Sequence, residues 1–335
     1  MRILITTGLS RADIGGPTQY GSGLKNAFQE LGHEAKLISY GRTEKFLPIG
    51  ARHIFFFFRI LPQIFWANYV LTLDTFSTGV PSVWGAKILG KRNIVRVGGD
   101  YLWSAYVNRT GKSLILPDFY DKIPKLSLKE KLVAFLMRQM IKRADFLAFN
   151  TEWQREIWQK RYDISYPKSN VVRNYIPEKK DGEISTIKNF LWAGRVIPEK
   201  NLELLKMVGE RVAKKYPEFR LDILTGKSHE QVLDRIKDCY AAISVAFADF
   251  CPNFIIEAVS FNKPFIISKE TGLNEIYPEG GLFFDPHRPD ELERSMEAAL
   301  DYRIYNKLVE ELKENAISHS WKNIAEEYLD IWKRI

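Results

Sequence analysis

The chain has 335 residues, 45% of them hydrophobic and 27% charged, a composition that excludes an intrinsically disordered chain and a multi-spanning membrane protein. The length allows two domains that each bury a core. Two cysteines, Cys239 and Cys251, are too few for a disulfide framework and indicate a reducing compartment. The apolar run at the start is shorter than a signal-peptide core. We therefore expect a cytoplasmic protein.

The charge is distributed unevenly along the chain. Residues 1–180 carry 28 Lys and Arg against 14 Asp and Glu, whereas residues 181–335 carry 21 against 27, and the net charge is +8. A basic half beside an acidic half predicts two domains with different roles. The basic half favours an anionic partner, either lipid headgroups, a phosphorylated acceptor or nucleic acid.

Strand and helix patterns alternate in the first half of the chain. Residues 3–7 form an apolar strand pattern, Gly15-Gly16-Pro17 follow as a glycine-rich loop, and a helical pattern covers residues 20–31. Further strands are predicted at 35–39, 69–73, 93–97 and 146–150. This alternation predicts a parallel sheet, because parallel strands are joined by crossover helices.

A second alternating series follows a charged, turn-forming stretch at 177–183 that suits a linker. Its predicted strands are 190–193, 221–225, 241–246 and 265–268, and its predicted helices are 201–216, 255–261, 289–302, 304–319 and 321–335. The fold class is therefore α/β, with two domains and a cleft between them.

A basic amphipathic segment begins at Lys122 and ends at Arg143. It carries seven basic residues and one acidic residue, interleaved with leucine, phenylalanine and methionine. Two interpretations stay open, a helix on an anionic membrane surface or a helix that packs its apolar face on the domain core. The apolar stretch 53–66 is shorter than the roughly 20 residues of a transmembrane helix. We assign its phenylalanine run, 55–58, to the core, and a contribution to the same membrane-facing surface stays open as the alternative.

Two turns that follow predicted strands in the first half could bind ligands. The amides of Gly15 and Gly16 could approach a phosphate, because no side chain blocks them. Asp100 follows Gly98-Gly99 and could hold or activate an acceptor hydroxyl. In both cases an ordinary tight turn is the alternative explanation.

A third turn, between strand 190–193 and helix 201–216, lies where ligands bind in open α/β sheets. Arg195 and Lys200 supply a forked cation and a point charge there, as a diphosphate requires. Ordinary surface charges at a helix start are the alternative.

The segment 246–275 contains two carboxylates eight positions apart, Asp249 and Glu257, around a predicted helix start. Helix amides can hold an anion, and carboxylates accept hydrogen bonds from sugar hydroxyls. This combination favours a phosphate-bearing sugar such as a nucleotide-sugar.

Other chemistries lack their sequence signatures. The histidines show no metal-ligand spacing, no Asp-x-Asp pair is present, and there is neither a nucleophile elbow nor a P-loop. The basic residues are not set among aromatic residues in a nucleic-acid reader motif, so no nucleic acid is expected. We expect no cofactor and no metal. A bound diphosphate would be neutralised by Arg195, Lys200 and helix dipoles.

In their order, these motifs resemble those of glycosyltransferase family 4, a group of retaining enzymes with the GT-B fold, over nearly the whole chain. The resemblance is carried by Gly15-Gly16-Pro17, Leu31-Gly32-His33-Glu34, Asn150-Thr151-Glu152, Val172-Arg173-Asn174, Gly194-Arg195 with Glu199-Lys200, Asp249 and Glu257 followed by Ala258, Pro264 and Gly272, and Ser320-Trp321.

The resemblance implies a GT-B architecture of two Rossmann-like, doubly wound domains that face a central cleft. Residues 1–178 would form the acceptor-side domain, together with a C-terminal helix at 320–335 that crosses back to it. Residues 179–319 would form the domain that binds the nucleotide-sugar donor.

The resemblance also implies roles for single residues. Arg195 and Lys200 would bind the donor diphosphate, and backbone amides near Asn253 and Phe254 would approach its phosphate. Glu257 would hold the ribose hydroxyls.

On the sugar side, Asp249 would contact hydroxyls of the transferred sugar. Gly15 and Gly16 would close over the diphosphate from the first domain. Asp100, Arg195, Lys200 and Asp249 form the expected catalytic set.

The implied activity is metal-independent transfer of a hexosyl group from a UDP- or GDP-linked sugar to a hydroxyl, with retention of configuration. The acceptor would be a glycan, a lipid-linked molecule or another polysaccharide precursor. The enzyme would be cytoplasmic, with an anionic membrane surface as a candidate partner on the inner face. A nucleotide-sugar epimerase of the same fold and a non-catalytic sugar-nucleotide-binding protein stay open as alternatives.

Three features depart from the family pattern. Asp249 stands where the family usually has glutamate, so the carboxylate reaches about one methylene less far. Gly99-Asp100 stands where a His-Asp pair is usual. The chain between Thr225 and Ala241 is also short, which indicates that one strand–helix unit of the usual donor domain is missing.

Overall fold

The structure is a computed structural model that describes residues 1–8, 16–48, 50–180, 182 and 185–335. For residues 16–18 and 45 it describes the backbone only. By its internal contacts the chain divides into two compact units. Unit 1 contains Met1–Leu102, Pro124–Tyr175 and Ser320–Ile335, and unit 2 contains Trp103–Ile123 and Ile176–His319.

Each unit is built on one parallel sheet. The strands of unit 1 are β1 (Arg2–Thr7), β2 (Glu34–Ser39), β3 (Tyr69–Thr72), β4 (Arg92–Val97), β5 (Phe146–Phe149) and β6 (Ser169–Val171), in the order β2-β1-β3-β4-β5-β6. The strands of unit 2 are β7 (Asn189–Ala193), β8 (Arg220–Leu224), β9 (Ala241–Ser244), β10 (Phe265–Ser268) and β11 (Gly281–Phe284), in the order β11-β10-β9-β7-β8.

Helices connect these strands. They are α1 (Gly16–Glu30), α2 (Arg42–Phe46), α3 (Ala51–Trp66), α4 (Gly79–Ile88), α5 (Tyr101–Thr110), α6 (Leu116–Asp121), α7 (Leu128–Arg143), α8 (Glu152–Tyr162), α9 (Leu202–Lys215), α10 (His229–Asp238), α11 (Asn253–Ser260), α12 (Pro289–Leu300), α13 (Tyr302–Glu314) and α14 (Trp321–Arg334). Two parallel sheets joined through helices confirm the predicted α/β class.

The C-terminal helix α14 completes the core of unit 1. Ser320 caps the helix, because its Oγ accepts a hydrogen bond from the amide of Asn323. The Trp332 ring packs against Phe28 of α1, with ring centroids 5.7 Å apart, and stacks on Tyr69 of β3 at 4.9 Å. Gly23 lets α1 and α14 meet closely, since a Cβ there would lie 2.4 Å from the Trp321 ring.

The apolar helix α3 is the main place where the core prediction is wrong. Its phenylalanine run was assigned to the core, but only Phe56 is fully buried, while Phe55 and Phe58 are exposed. The reason is the helical period of about 3.6 residues, which turns only part of four consecutive side chains towards one face. In the described part of the chain no helix combines the length and apolar character needed to cross a bilayer.

Candidate functional site

The sheet of unit 2 reverses its direction of winding between β7 and β9, which are neighbours although β8 lies between them in the chain. Ligands of open parallel sheets bind beyond the carboxyl ends of the strands at such a reversal. Arg195 follows the end of β7 by two residues, and Asp249 follows the end of β9 by five. Two predicted site residues therefore lie on the loops that border the reversal.

Lys200 and Asp249 form the centre of this site. The Lys200 Nζ lies 2.9 Å from Asp249 Oδ2, and the Ser244 hydroxyl donates to the same oxygen at 3.1 Å. The two side chains of the ion pair are 25% and 15% exposed, so both remain accessible from solvent. The pair places one cation and one acceptor carboxylate side by side.

The backbone at Asp249 is fixed by the loop after β10. The Asp249 amide donates to the carbonyl of Glu270 at 2.9 Å, and the Thr271 hydroxyl donates to the Asp249 carbonyl at 2.6 Å. The two loops form a parallel bridge at this point. The carboxylate of Asp249 is thus held by backbone contacts as well as by Lys200, which suits a residue that positions a ligand.

The turn that carries Lys200 is held by its neighbour Glu199. The buried Glu199 carboxylate accepts hydrogen bonds from the side chains of Ser104 and Asn108. In return, Asn108 Oδ1 accepts a hydrogen bond from the Glu199 amide at 3.1 Å. Asn201 then adopts φ 50°, a left-handed conformation that asparagine tolerates, and α9 begins directly after it. Glu199 is therefore used to hold the turn.

Helix α11 begins with Asn253 and Phe254, the residues predicted to present amides to a phosphate. The amides of Ile255 and Ile256 both donate to the carbonyl of Pro252 at 3.1 Å. The first turn of a helix carries a partial positive charge, which favours an anion at this end. Asn253 and Phe254 therefore lie at a helix end that favours an anion, and their contact with a phosphate stays a prediction.

Glu257 lies one turn inside α11 and is paired with His229, the first residue of α10. The Glu257 Oε1 and His229 Nε2 atoms are 2.7 Å apart. Burial raises the pKa of Glu257, and the neighbouring His229 and Lys180 oppose this shift only in part. The side chain is still 18% exposed. Glu257 is thus a largely buried acid with one accessible side.

Arg195 differs from Lys200 in its surroundings. Its side chain is exposed and forms no hydrogen bond or ion pair with the residues that the structure describes. Arginine can bind two oxygens of one phosphate at once, because its donors form a planar fork. Arg195 can therefore turn towards a ligand without breaking a contact within that part of the chain.

The remaining predicted residues belong to unit 1. Asp100 is only 3% exposed, and its Oδ2 accepts a hydrogen bond from the Trp158 indole at 2.9 Å. Gly16 begins α1, which follows β1, and Gly15 lies outside the described residues. The structure thus gives Asp100 a structural contact, and its role towards an acceptor stays a prediction.

Sequence reasoning missed two partners in unit 2, His229 and Ser244. His229 was considered only as a metal ligand, yet it lies at the start of α10 and contacts an acid 28 positions away. No periodic pattern marks such a contact, since it depends on how α10 and α11 pack. Over the described ranges, no three His, Cys, Asp or Glu side chains cluster in a way that could hold a metal ion.

Comparisons with known proteins give similarity at the level of structure. No family model matches the sequence, and a search of curated proteins found no match. Sucrose-phosphate synthase from Thermosynechococcus elongatus superimposes with a TM-score of 0.71 at 12% identity, covering 100% of this chain and 99% of that one. Anabaena Alr3699/HepE in complex with UDP gives 0.68 at 11% identity, covering 100% of both chains.

The lipopolysaccharide outer core galactosyltransferase WaaB is also similar, with a TM-score of 0.63 at 14% identity and 100% coverage of both chains. At such low identity the likeness establishes the fold alone. Together with the two parallel sheets, it identifies the fold of this chain as GT-B.

Proposed function

We propose that the chain is a retaining glycosyltransferase that moves a hexosyl group from a nucleotide-sugar to a hydroxyl acceptor. The observation that carries the proposal is the Lys200–Asp249 pair, held at 2.9 Å beyond the reversal of the unit 2 sheet. A cation beside an acceptor carboxylate matches a ligand that carries both phosphate and sugar hydroxyls. The GT-B fold adds support, since UDP is bound in one similar structure.

In this proposal the donor spans the loops at the end of the unit 2 sheet. Arg195, Lys200 and the first amides of α11 neutralise the diphosphate, and Glu257 accepts hydrogen bonds from the ribose. Fixed cations and amide dipoles stabilise the charge that develops on the leaving group, which is commonly the largest catalytic contribution in such sites. These protein groups supply the positive charge, so the proposed reaction is metal-independent.

Retention of configuration is proposed to occur without a covalent enzyme intermediate. Asp249 Oδ2 already accepts from Lys200 and Ser244, which suits a carboxylate that positions the sugar better than one that attacks it. The incoming hydroxyl would then attack from the face that the leaving group departs, and the departing phosphate would take its proton. The anomeric configuration of the product, read by NMR, tests this route directly.

The decisive experiment measures release of nucleoside diphosphate from UDP- and GDP-linked hexoses. We expect slow hydrolysis of one donor without acceptor and faster release when a hydroxyl acceptor is added, with no loss of rate in the presence of EDTA. Tight donor binding without release of diphosphate, under any acceptor condition, would instead indicate a non-catalytic binding protein.

One observation favours the epimerase as a second candidate. His229 Nε2 and Glu257 Oε1 lie 2.7 Å apart, and an epimerase needs an imidazole or a carboxyl group near the sugar for proton transfer. Conversion of a UDP-sugar into its epimer, followed by NMR without any acceptor, would select this alternative. If the stereochemistry of the donor sugar stays unchanged, the proposed role of Glu257 in binding the ribose is kept.

Donor binding should also respond to pH through Glu257. Ribose hydroxyls donate to an ionised carboxylate, and burial raises the pKa of this one above its ordinary value. The affinity for the donor should therefore be highest at pH values above the raised pKa of Glu257, and it should fall as the pH drops through that pKa. We expect UDP titrations to weaken in mildly acidic buffer and Glu257→Gln to flatten this dependence. An identical pH profile in the variant would contradict the assignment.

Peripheral association with an anionic membrane is proposed for the basic segment. On α7 the exposed charges are all positive, and each Lys or Arg close to an anionic surface contributes roughly 1 kcal/mol. Flotation with vesicles that contain phosphatidylglycerol should succeed at low salt and fail at high salt. The triple variant K131Q/R138Q/K142Q should lose flotation, whereas K322Q/K333Q/R334Q on α14, which removes the same charge, should keep it.

A further inference from the structure

An apolar groove of about 520 Å³ lies within unit 1 among α3, α4 and α7. Its walls include Phe57 and Phe58 of α3, Trp84 of α4, and Leu132 and Leu136 of α7. The volume falls within the roughly 300–1,000 Å³ of pockets that bind small molecules. The groove is therefore large enough for a chain-like apolar ligand.

The interior of the groove is nearly uncharged. Among the described residues that line it, His53 and Lys129 alone are titratable. Burial lowers the pKa of His53 and so disfavours the charged imidazole, whose ring lies 4.7 Å from that of Phe76. Lys129, an exposed residue of α7, is the cation on the described wall. A ligand that fills the interior has to be apolar along most of its length.

The rim of the groove exposes large apolar side chains from all three helices. Ile54, Phe58, Ile88 and Leu132 all line the groove, and each is more than half exposed. Scattered apolar residues are ordinary on a surface, but a contiguous group around a groove marks an interaction site. The close approach of α3 and α4 depends on Gly85, where a Cβ would lie 2.7 Å from Ile64 Cδ1.

Positive charge lies at the groove itself: Lys129 of α7 lines it, and the Arg143 guanidinium lies over the ring of the lining residue Trp84, 4.2 Å from its centroid. On α7, Lys129, Lys131, Arg138 and Lys142 are exposed, and none forms an ion pair with any residue in the described ranges. The one acid of α7, Glu130, is buried and accepts the Ser127 amide at 2.8 Å. Lys129 thus places an unpaired cation at the apolar wall, and α7 carries no exposed carboxylate that could neutralise it.

From this juxtaposition we infer that the groove binds the hydrocarbon chain of an anionic membrane lipid, whose phosphate is held by Lys129 and Arg143 of α7. Charge complementarity selects this occupant, because an apolar peptide or a neutral lipid would leave Lys129 on the groove wall without a partner. The inference deepens the membrane association proposed above. It adds a defined binding site for one lipid chain to what would otherwise be adsorption on a charged surface.

Two matched pairs of variants test the site. Leu132 lines the groove and Phe135 does not, yet both lie on α7 with 57% of their surface exposed. On α3, Phe58 lines the groove and Phe65 does not, at 65% and 71% exposure. The variants are Leu132→Asp against Phe135→Asp and Phe58→Ser against Phe65→Ser. All four positions are on the surface, and thermal unfolding and UDP binding check that each variant is folded.

The probe is dodecyl phosphate below its critical micelle concentration, titrated calorimetrically into the full chain. We expect saturable binding to one site, weakened at least about tenfold, or ~1.4 kcal/mol, by L132D and by F58S but not by F135D or F65S. Dodecylphosphocholine should bind more weakly, and inorganic phosphate should show no binding. Absence of saturable binding, or equal loss within each pair, would overturn the inference.

Further readouts separate this inference from the proposals on which it rests. Flotation of the same variants on phosphatidylglycerol vesicles reports membrane association, and UDP titration reports the donor site of unit 2. If flotation persists while dodecyl phosphate does not bind, the lipid site in the groove is overturned, and the proposed membrane association is kept. Absence of UDP binding by the unmodified protein would count against the proposed donor site alone.

Discussion

Replacing Arg195 by alanine is expected to lower kcat/KM for the donor by about 10²–10³, which corresponds to ~2.7–4 kcal/mol of transition-state stabilisation. The physical reason is that Arg195 neutralises a diphosphate whose charge grows as the glycosidic bond breaks. Its side chain is exposed and makes no ion pair with the described residues, so little native structure is lost with it. Steady-state kinetics with the preferred donor measure the effect.

The control for this variant is Arg211→Ala. Arg211 is another arginine of unit 2, on α9, and its Nη1 lies 3.6 Å from Glu293. Because both side chains are largely exposed, each substitution removes one positive charge at small cost to folding. Equal rates in the R195A and unmodified proteins would place the diphosphate elsewhere. Equal losses of rate in R195A and R211A would show that the effect comes from the change in net charge and not from a contact with the diphosphate.

Replacing Glu257 by alanine is expected to weaken donor binding by roughly 10- to 100-fold, because hydrogen bonds to a charged group contribute about 1.5–3 kcal/mol. Turnover at subsaturating donor should fall by at least the same factor. Calorimetric titration with UDP measures the affinity, and titration with the bare sugar phosphate separates ribose contacts from sugar contacts.

The matched control is Glu230→Ala. Glu230 is exposed and lies next to His229, so its removal changes the same charge near the site without touching the Glu257 pair. An unchanged UDP affinity in E257A would remove Glu257 from the donor site. A loss confined to turnover, with normal UDP affinity, would move Glu257 from the ribose to the reacting sugar.

The sequence predicted most of the sheet because its central strands are short apolar runs between helical patterns. β9 and β10 consist largely of fully buried residues and were predicted within two residues of their observed ends. β11 was not predicted, since Gly281–Phe284 is an edge strand that is mostly half-buried and therefore lacks a clear burial pattern. Local patterning thus identifies buried central strands better than sheet edges.

The site was predictable as far as it depends on turns after strands. Lys200 and Asp249 were both selected from the sequence, and the structure brings them into contact across 49 positions. Two other contacts could not be predicted in this way: the one between Glu257 and His229, and the hydrogen bond from the Glu199 amide to the Asn108 side chain. Both depend on the packing of separate helices, which leaves no local signal in the sequence.

The division of unit 1 into three stretches of chain has a consequence for its synthesis. Helix α14 supplies Tyr328 and Trp332 to a core that also contains residues of α1 and of the strands β1 to β5. During translation the apolar face that α14 covers therefore stays exposed on Met1–Leu102 and Pro124–Tyr175 until Ile176–His319, the larger stretch of unit 2, has been synthesised. Unit 2 can fold first, although it begins later, and a ribosome-bound chain ending before Ser320 is the form most exposed to chaperones and proteases.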